Sequence, residues 1–252
     1  MNRITNYLEL KQRIVSWILD YVSNNNIKAL VVGVSGGIDS AVVSTLCAET
    51  GLPTYVLSMP LLSKIDNDKL SDDYTKFLEN KYSNVTRIRV ELSGVYDRFV
   101  HSLNWWTDSN QYTSNELANA NTKSRLRMVT LYQVAGSVGG IVVGTGNKVE
   151  DYGVGFYTKY GDGGVDIAPI ADLYKTEVWE LGKHLGVDQR IIDAPPTDGL
   201  WTDGRSDEDQ IGATYSELEE AMELGTGPGV EILHRFNQQN LHKMIPIPTF
   251  KL

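Results

Sequence analysis

The residues best suited to chemistry cluster first in Gly33-Val34-Ser35-Gly36-Gly37-Ile38-Asp39-Ser40. Adjacent glycines let backbone N–H groups turn toward an anion with no Cβ in the way. Ser35 and Ser40 offer hydroxyls, and a helix starting at Asp39 adds its positive N-terminal end. No lysine follows the glycines, so the segment is not a GxxxxGK[ST] loop, and it is not GxGxxG. A carboxylate inside a phosphate cradle repels the ligand unless a divalent cation lies between them, which marks Asp39 as a candidate magnesium ligand. Stripped of that chemistry, the same octapeptide is a helix cap behind a glycine turn.

The elements around it follow from pattern. A helical stripe runs over residues 5–23, and Ala29 to Val34 is the short apolar run of a buried parallel strand. Helices over Asp39–Glu49 and Asp68–Lys81 alternate with strands over Thr54–Leu57 and Val85–Val90. A long helix over Asn115–Ser137 feeds a strand over Ile141–Val143, and two helices close the chain, Thr214–Leu224 and Gly229–Lys243. This alternation predicts an α/β fold, a doubly wound, mostly parallel sheet with helices on both faces. The loop would lie at the carboxyl end of a strand, where such sheets bind ligands. Long Gly/Asp stretches at Tyr152–Asp166 and Asp198–Asp209 read as functional loops.

Composition sets the outer bounds. The 252 residues, 41% apolar, with no dividing linker or repeat, predict one domain over residues 1–252. A single cysteine, Cys47, closes no disulfide and belongs to no zinc cluster, so a reducing, cytoplasmic setting fits. The net charge of −9 argues against nucleic acid or anionic lipid as partners, and requires positive charge to gather locally around anionic substrates. Met128–Asn147 is 20 residues without a charge, but its five glycines and Gln133 break it into a helix, a turn and a strand; no membrane span or signal peptide is expected.

The SGGxDS core of the loop resembles that of the N-type ATP pyrophosphatases, which split ATP between the α and β phosphates. Further motifs, Asn121 to Met128, Gly144 to Glu150, Phe156 to Asp166, Pro169 to Thr176, Pro195-Pro196-Thr197 and His242-Lys243, are similar in order to those of the NAD synthetase family. The resemblance implies ATP-dependent amidation of deamido-NAD by ammonia through an adenylated intermediate. It implies Gly33, Val34, Ser35, Gly36, Gly37, Ile38, Asp39, Ser40, Thr145, Lys175 and Thr197 as ATP contacts. Arg125, Lys159, Asp166, His242 and Lys243 would meet deamido-NAD, Asp39 and Glu150 would hold Mg2+, and Asp162 with Lys175 would act in catalysis. It also implies a homodimer. Arg125, Lys159, Lys175 and Lys243 would converge on one positive cleft.

Taken singly, these residues have plainer readings: a solvated basic helix face for Arg125, a surface loop for Glu150, a helix start for Lys175, a helix C-cap for His242-Lys243. The chain departs from the family twice. The span from Glu150 to Lys159 is one residue longer, which leaves Asp151 as a rival to Glu150 on the metal. Leu57-Ser58-Met59-Pro60 stands where some relatives place an arginine near the nucleotide. Trp105, Trp106, Tyr96, Phe99 and Tyr112 are candidates for ring stacking or for core and interface packing. With the loop beginning at Gly33 there is no room ahead of it for a glutaminase domain, and free ammonia is the expected donor. An RNA-thiolating pyrophosphatase and a non-catalytic nucleotide-binding module remain as alternatives.

Overall fold

A computed structural model describes residues 3–62, 65–104, 115–197 and 206–251. Four parallel strands, β1 (Ala29–Gly33), β2 (Thr54–Ser58), β3 (Val85–Arg89) and β4 (Gly140–Val142), lie in the order β3-β2-β1-β4. Leu30 stands opposite Thr54 on one side of β1, and Ala29 opposite Gly140 on the other. A lone parallel bridge from Val143 to Ile167 extends the sheet beyond β4.

Period-two alternation sends β1 to two cores. Leu30, Val32 and Val34 pack with Ile14 and Ile18 of α1 (Tyr7–Asn24), Val42 and Leu46 of α2 (Ile38–Glu49), and Leu181 of α6 (Lys175–Leu185). Tyr74 and Leu78 of α3 (Ile65–Lys81) join the same layer. Val31, Leu57 and Val142 pack on the opposite face with Tyr96 of α4 (Ser93–Asn104) and Ala135 of α5 (Glu116–Val138). The central strand is therefore wrapped on both sides, as an apolar parallel strand requires. A third cluster joins Val149 and Val154 to Ile211 of α8 (Asp207–Ile211) and Tyr215 and Leu218 of α9 (Tyr215–Leu224), with Leu233 and Phe236 of α10 (Val230–Met244) against it. The short α7 (Gln189–Ile192) completes the helices.

From β1 the chain moves outward through β2 and β3, then returns to place β4 on the other flank of β1. The connections leaving β1 and β4 thus diverge, and a crevice opens at their carboxyl ends. The uncharged stretch resolves as expected: α5 ends at Val138, Gly139 turns with φ +66°, and β4 follows. Among the described residues no helix is long and apolar enough to cross a membrane. Several elements differ from expectation, among them α7 and α8, which the sequence pattern did not predict. α4 occupies the aromatic segment, with Tyr96 in the core and Phe99 exposed; Trp105, Trp106 and Tyr112 lie outside the described residues. The expected strand over Ile141–Val143 is shifted one residue back, to Gly140–Val142; Val143 N–H still donates to the Val31 carbonyl at 2.9 Å while the residue bridges Ile167 on its other side.

Candidate active site

The loop after β1 is braced by its own hydroxyls. Val34 N–H donates to the Leu57 carbonyl at 2.8 Å, which keeps the loop's first residue on the sheet. Gly36 then turns with φ +90°, open to glycine at no steric cost. Ser35 N–H donates to Ser40 Oγ at 3.1 Å, Gly37 N–H to Ser35 Oγ at 3.2 Å, and Ser40 Oγ–H to the Gly37 carbonyl at 2.9 Å. The hydroxyls therefore shape the loop. Gly37 is the N-cap of α2 and no side chain caps it, so the positive end of a twelve-residue helix faces the crevice.

Asp39, in the first turn of that helix, meets two residues from distant parts of the chain. The Lys175 ammonium, 3% exposed, donates to Asp39 Oδ2 at 2.5 Å and to Glu150 Oε1 at 2.9 Å. Burial alone would lower the Lys175 pKa, but the two carboxylates outweigh it and hold the group protonated well above its usual range. Burial pushes Asp39 up, Lys175 draws it back and Glu150 adds repulsion, leaving it raised. Glu150 feels the same burial but is brought net below its ordinary value by Lys175 and by Tyr215, whose hydroxyl donates to Oε1 at 2.6 Å. Asn147 ties the pair together: its amide donates to Asp39 Oδ1 at 3.2 Å, while its carbonyl accepts from Val149 and Glu150 N–H, both at 3.1 Å.

A lysine in the first turn of α6 opposes the helix dipole. Carboxylates offset it. Glu177 accepts the Tyr174 N–H at 2.9 Å, and buried Glu219 accepts the Thr176 N–H at 2.9 Å while bonding Arg3 at 3.0 Å. Lys175 is thereby held at a fixed helix start.

The residues after Glu150 wind as a π-helical turn over Val149–Val154, closed by Gly155 at φ +64°. Such a turn holds one residue more than α-helical winding. Both Gly155 and Phe156 N–H reach the Glu150 carbonyl. Glu150 consequently faces Asp39, and Asp151 is directed onto Gly146, where any Cβ would collide with its carboxylate. Burial, followed by the charges of Glu150, Asp162 and Asp39, pushes Asp151 up to about 8.

Among the described residues no group of three or more His, Cys, Asp or Glu is arranged to hold a metal. Asp39 and Glu150 nevertheless converge on one cationic centre with hard oxygen donors. Magnesium is commonly held by one or two carboxylates with phosphate oxygens and water completing the shell, so this pair fits that ion bound together with a nucleotide.

Two adjoining clefts open here, of about 280 and 330 Å³. Gly33 to Ser40, Thr145, Glu150, Lys175 and Thr197 all line the first. Lys159 and Lys243 line the second, and Asp162 stands on the wall shared by both. Asp162 is clamped by Ser124 Oγ at 2.7 Å and Thr158 N–H at 3.0 Å; burial raises its pKa against those bonds. Three candidates line neither cleft. Arg125 is exposed and donates to the Lys159 carbonyl at 3.3 Å, and the His242 carbonyl accepts from Lys159 Nζ at 3.0 Å. Asp166 accepts from Tyr132 OH at 3.0 Å and Val142 N–H at 2.7 Å, at the sheet edge.

The expectation of four cations converging on one positive cleft is corrected. Only Lys175 of the four lines the first cleft, whose other charged lining residues are Arg127 and the acids Asp39, Asp68, Glu150, Asp151, Asp162 and Asp207. The cause is topological: Arg125, Lys159 and Lys243 are gathered around the 157–163 turn by their bonds to backbone carbonyls, on the far side of the shared wall.

Ser124, Arg127 and Asn147 lay inside the quoted motifs without being singled out. Tyr215 and Asp207 carried no local signal; they arrive through the third cluster, with Tyr215 OH 3.3 Å from Asp207 Oδ2.

The family model for NAD synthase matches residues 10–246. The chain belongs to the NAD synthase family. It is 37% identical over 242 residues to the NH(3)-dependent NAD(+) synthetase of Carboxydothermus hydrogenoformans, covering 94% of this chain and 95% of that one. Among solved structures, NMN synthetase from Francisella tularensis superposes with a TM-score of 0.87 at 33% identity, over 99% and 100% of the two chains. NAD+ synthetase from Burkholderia pseudomallei gives a TM-score of 0.75 at 25% identity, over 96% and 91%. This NAD synthase family member thus matches these three proteins over nearly their whole length, with the fold that the alternating elements predicted.

Proposed function

We propose that the chain amidates deamido-NAD with ammonia, consuming ATP and releasing NAD, AMP and pyrophosphate. The observation that carries this reading is Lys175 held between Asp39 and Glu150 at the mouth of an uncapped helix, with Asp162 on the wall to a second cleft. The loop amides and the α2 N-terminus bind the phosphates of ATP. Asp39 and Glu150 would hold magnesium, which supplies positive charge to the phosphate oxygens when bound. Lys175 stays protonated and stabilises charge that develops on the departing pyrophosphate as the substrate carboxylate bonds to the α phosphorus. Thr145 and Thr197 flank the nucleotide in the same cleft.

In the second half-reaction ammonia bonds to the acyl carbon and AMP leaves with the acyl oxygen. Asp162, opening on both clefts, receives the proton released when ammonium becomes ammonia. Lys159 and Lys243 meet the phosphates of the deamido substrate in the second cleft, with Arg125 and His242 at its rim and Asp166 holding the sheet edge behind it. The family resemblance supports a homodimer, which sedimentation would register at twice 28.0 kDa.

The decisive assay incubates the purified chain with ATP, magnesium, ammonium and deamido-NAD. NAD, AMP and pyrophosphate should appear in equal amounts, and glutamine should not replace ammonium. ADP with phosphate, or bound ATP without turnover, would overturn the reading.

A second reading has one observation in its favour. The NMN synthetase superposes more closely than the NAD+ synthetase, 0.87 against 0.75 in TM-score. The mononucleotide acid is then the preferred acceptor in the second cleft. Competition between the two acids, read as the ratio of their kcat/KM, decides between them.

A further inference from the structure

α5 carries Arg125 and Arg127, which at a spacing of two leave different sides of the helix. Arg125 turns to the Lys159 carbonyl. Arg127 goes the other way: its Nε donates at 3.2 Å to the carbonyl of Met59, just past the end of β2. It lines the first cleft beside Gly33, Met59, Met128 and Leu131. Gly33 sits so close beneath Met59 and Leu131 that a Cβ there would press on both side chains. This is the strand-side end of the cleft, where β1 passes into the loop that leads to Asp39. Met59, Met128 and Leu131 make this end of the cleft apolar, a surface suited to a purine ring. Residues 57–60, Leu-Ser-Met-Pro, offer it no cation.

We propose that Arg127 is a specificity residue for ATP, its planar guanidinium lying against the adenosine and supplying from α5 the cationic surface that the end of β2 lacks. Arginine suits the task because its flat, delocalised group stacks on aromatic rings while its donors stay engaged at the edge. The Met59 carbonyl fixes that plane. The inference rests on the assignment of the first cleft to ATP.

Calorimetric titration of Arg127→Met with magnesium-ATP and with AMP tests it. Both affinities should fall by a similar factor, about tenfold or more, while the affinity for deamido-NAD holds. ATP binding equal to the parent's would overturn the proposal. So would a loss confined to ATP with AMP unmoved, because that places the guanidinium on the β and γ phosphates. Should Arg127→Met melt before titration, folded Arg127→Lys keeps the charge without the plane and is expected to bind AMP several-fold more weakly; unchanged AMP binding overturns the idea. If the parent forms no NAD yet these affinities shift as stated, the proposed reaction fails and the role of Arg127 stands.

Discussion

One ammonium serves two carboxylates at the centre of the site, and that imbalance has consequences. Lys175 Nζ lies between Asp39 and Glu150, in the position from which both could also grip a divalent cation. Removing one partner of a buried ionic group leaves the remainder without compensation, at a cost of roughly 3–5 kcal/mol. Lys175→Met should therefore lower the melting temperature by on the order of 10 °C. The same vacancy should favour metal: magnesium alone is expected to raise the melting point of the variant more than that of the parent. Equal shifts would mean that the two carboxylates do not share a cation site. Asp39→Asn keeps Lys175 paired to Glu150, so it should fold while losing AMP formation by about a hundredfold to a thousandfold, as expected when a phosphate-side electrostatic group is removed. Undiminished turnover would sink the assignment of Asp39.

Elements reach each other here through charged contacts as well as through apolar packing. Asp72 of α3 accepts from Ser58 of β2 at 2.7 Å and from Arg87 and Arg89 of β3 at 3.1 and 3.0 Å, tying helix to sheet edge. Burial pushes its pKa up, but Ser58 and the two guanidinium groups bring it net below 3.8. A depressed carboxylate stabilises the fold fully above its unfolded pKa and loses that contribution as pH falls through the folded value. Asp72→Asn should accordingly cost about 1 kcal/mol at pH 7, and the gap in urea midpoint should narrow below about pH 4. A gap that stays constant with pH would assign the loss to packing. The strands and principal helices were legible because hydrophobic period and glycine punctuation act locally, as in Ala29–Val34 followed by Gly36-Gly37. The π-turn was not, since nothing in the residue types from Glu150 to Lys159 discloses an i→i+5 winding. Tyr215 and Asp207 were illegible for another reason: Tyr215 reaches Glu150, and Asp207 reaches Tyr215, only once α8, α9 and α10 pack as a unit. Local patterns can mark a motif, but contacts across 65 residues of sequence depend on the assembled cluster.

For the molecule as a whole, the net charge of −9 is not relieved inside the first cleft. Asp39, Asp68, Glu150, Asp151, Asp162 and Asp207 line it against Arg127 and Lys175. Asp151, pushed up to about 8, remains protonated at neutral pH and moderates the excess without cancelling it. A polyphosphate entering such a cleft is repelled at short range, where water screens poorly. The loop amides and the α2 dipole offer only partial charges in return. On the proposed function, a divalent counter-charge is therefore expected to arrive with the nucleotide. Chelation of magnesium should weaken ATP binding at least about tenfold by calorimetry. Added salt should then recover part of the loss, because the screening length shrinks to about 3 Å at 1 M. Metal-free ATP binding as tightly as the magnesium complex would show that backbone amides alone overcome the acidic lining, and Asp39 and Glu150 would then need another role.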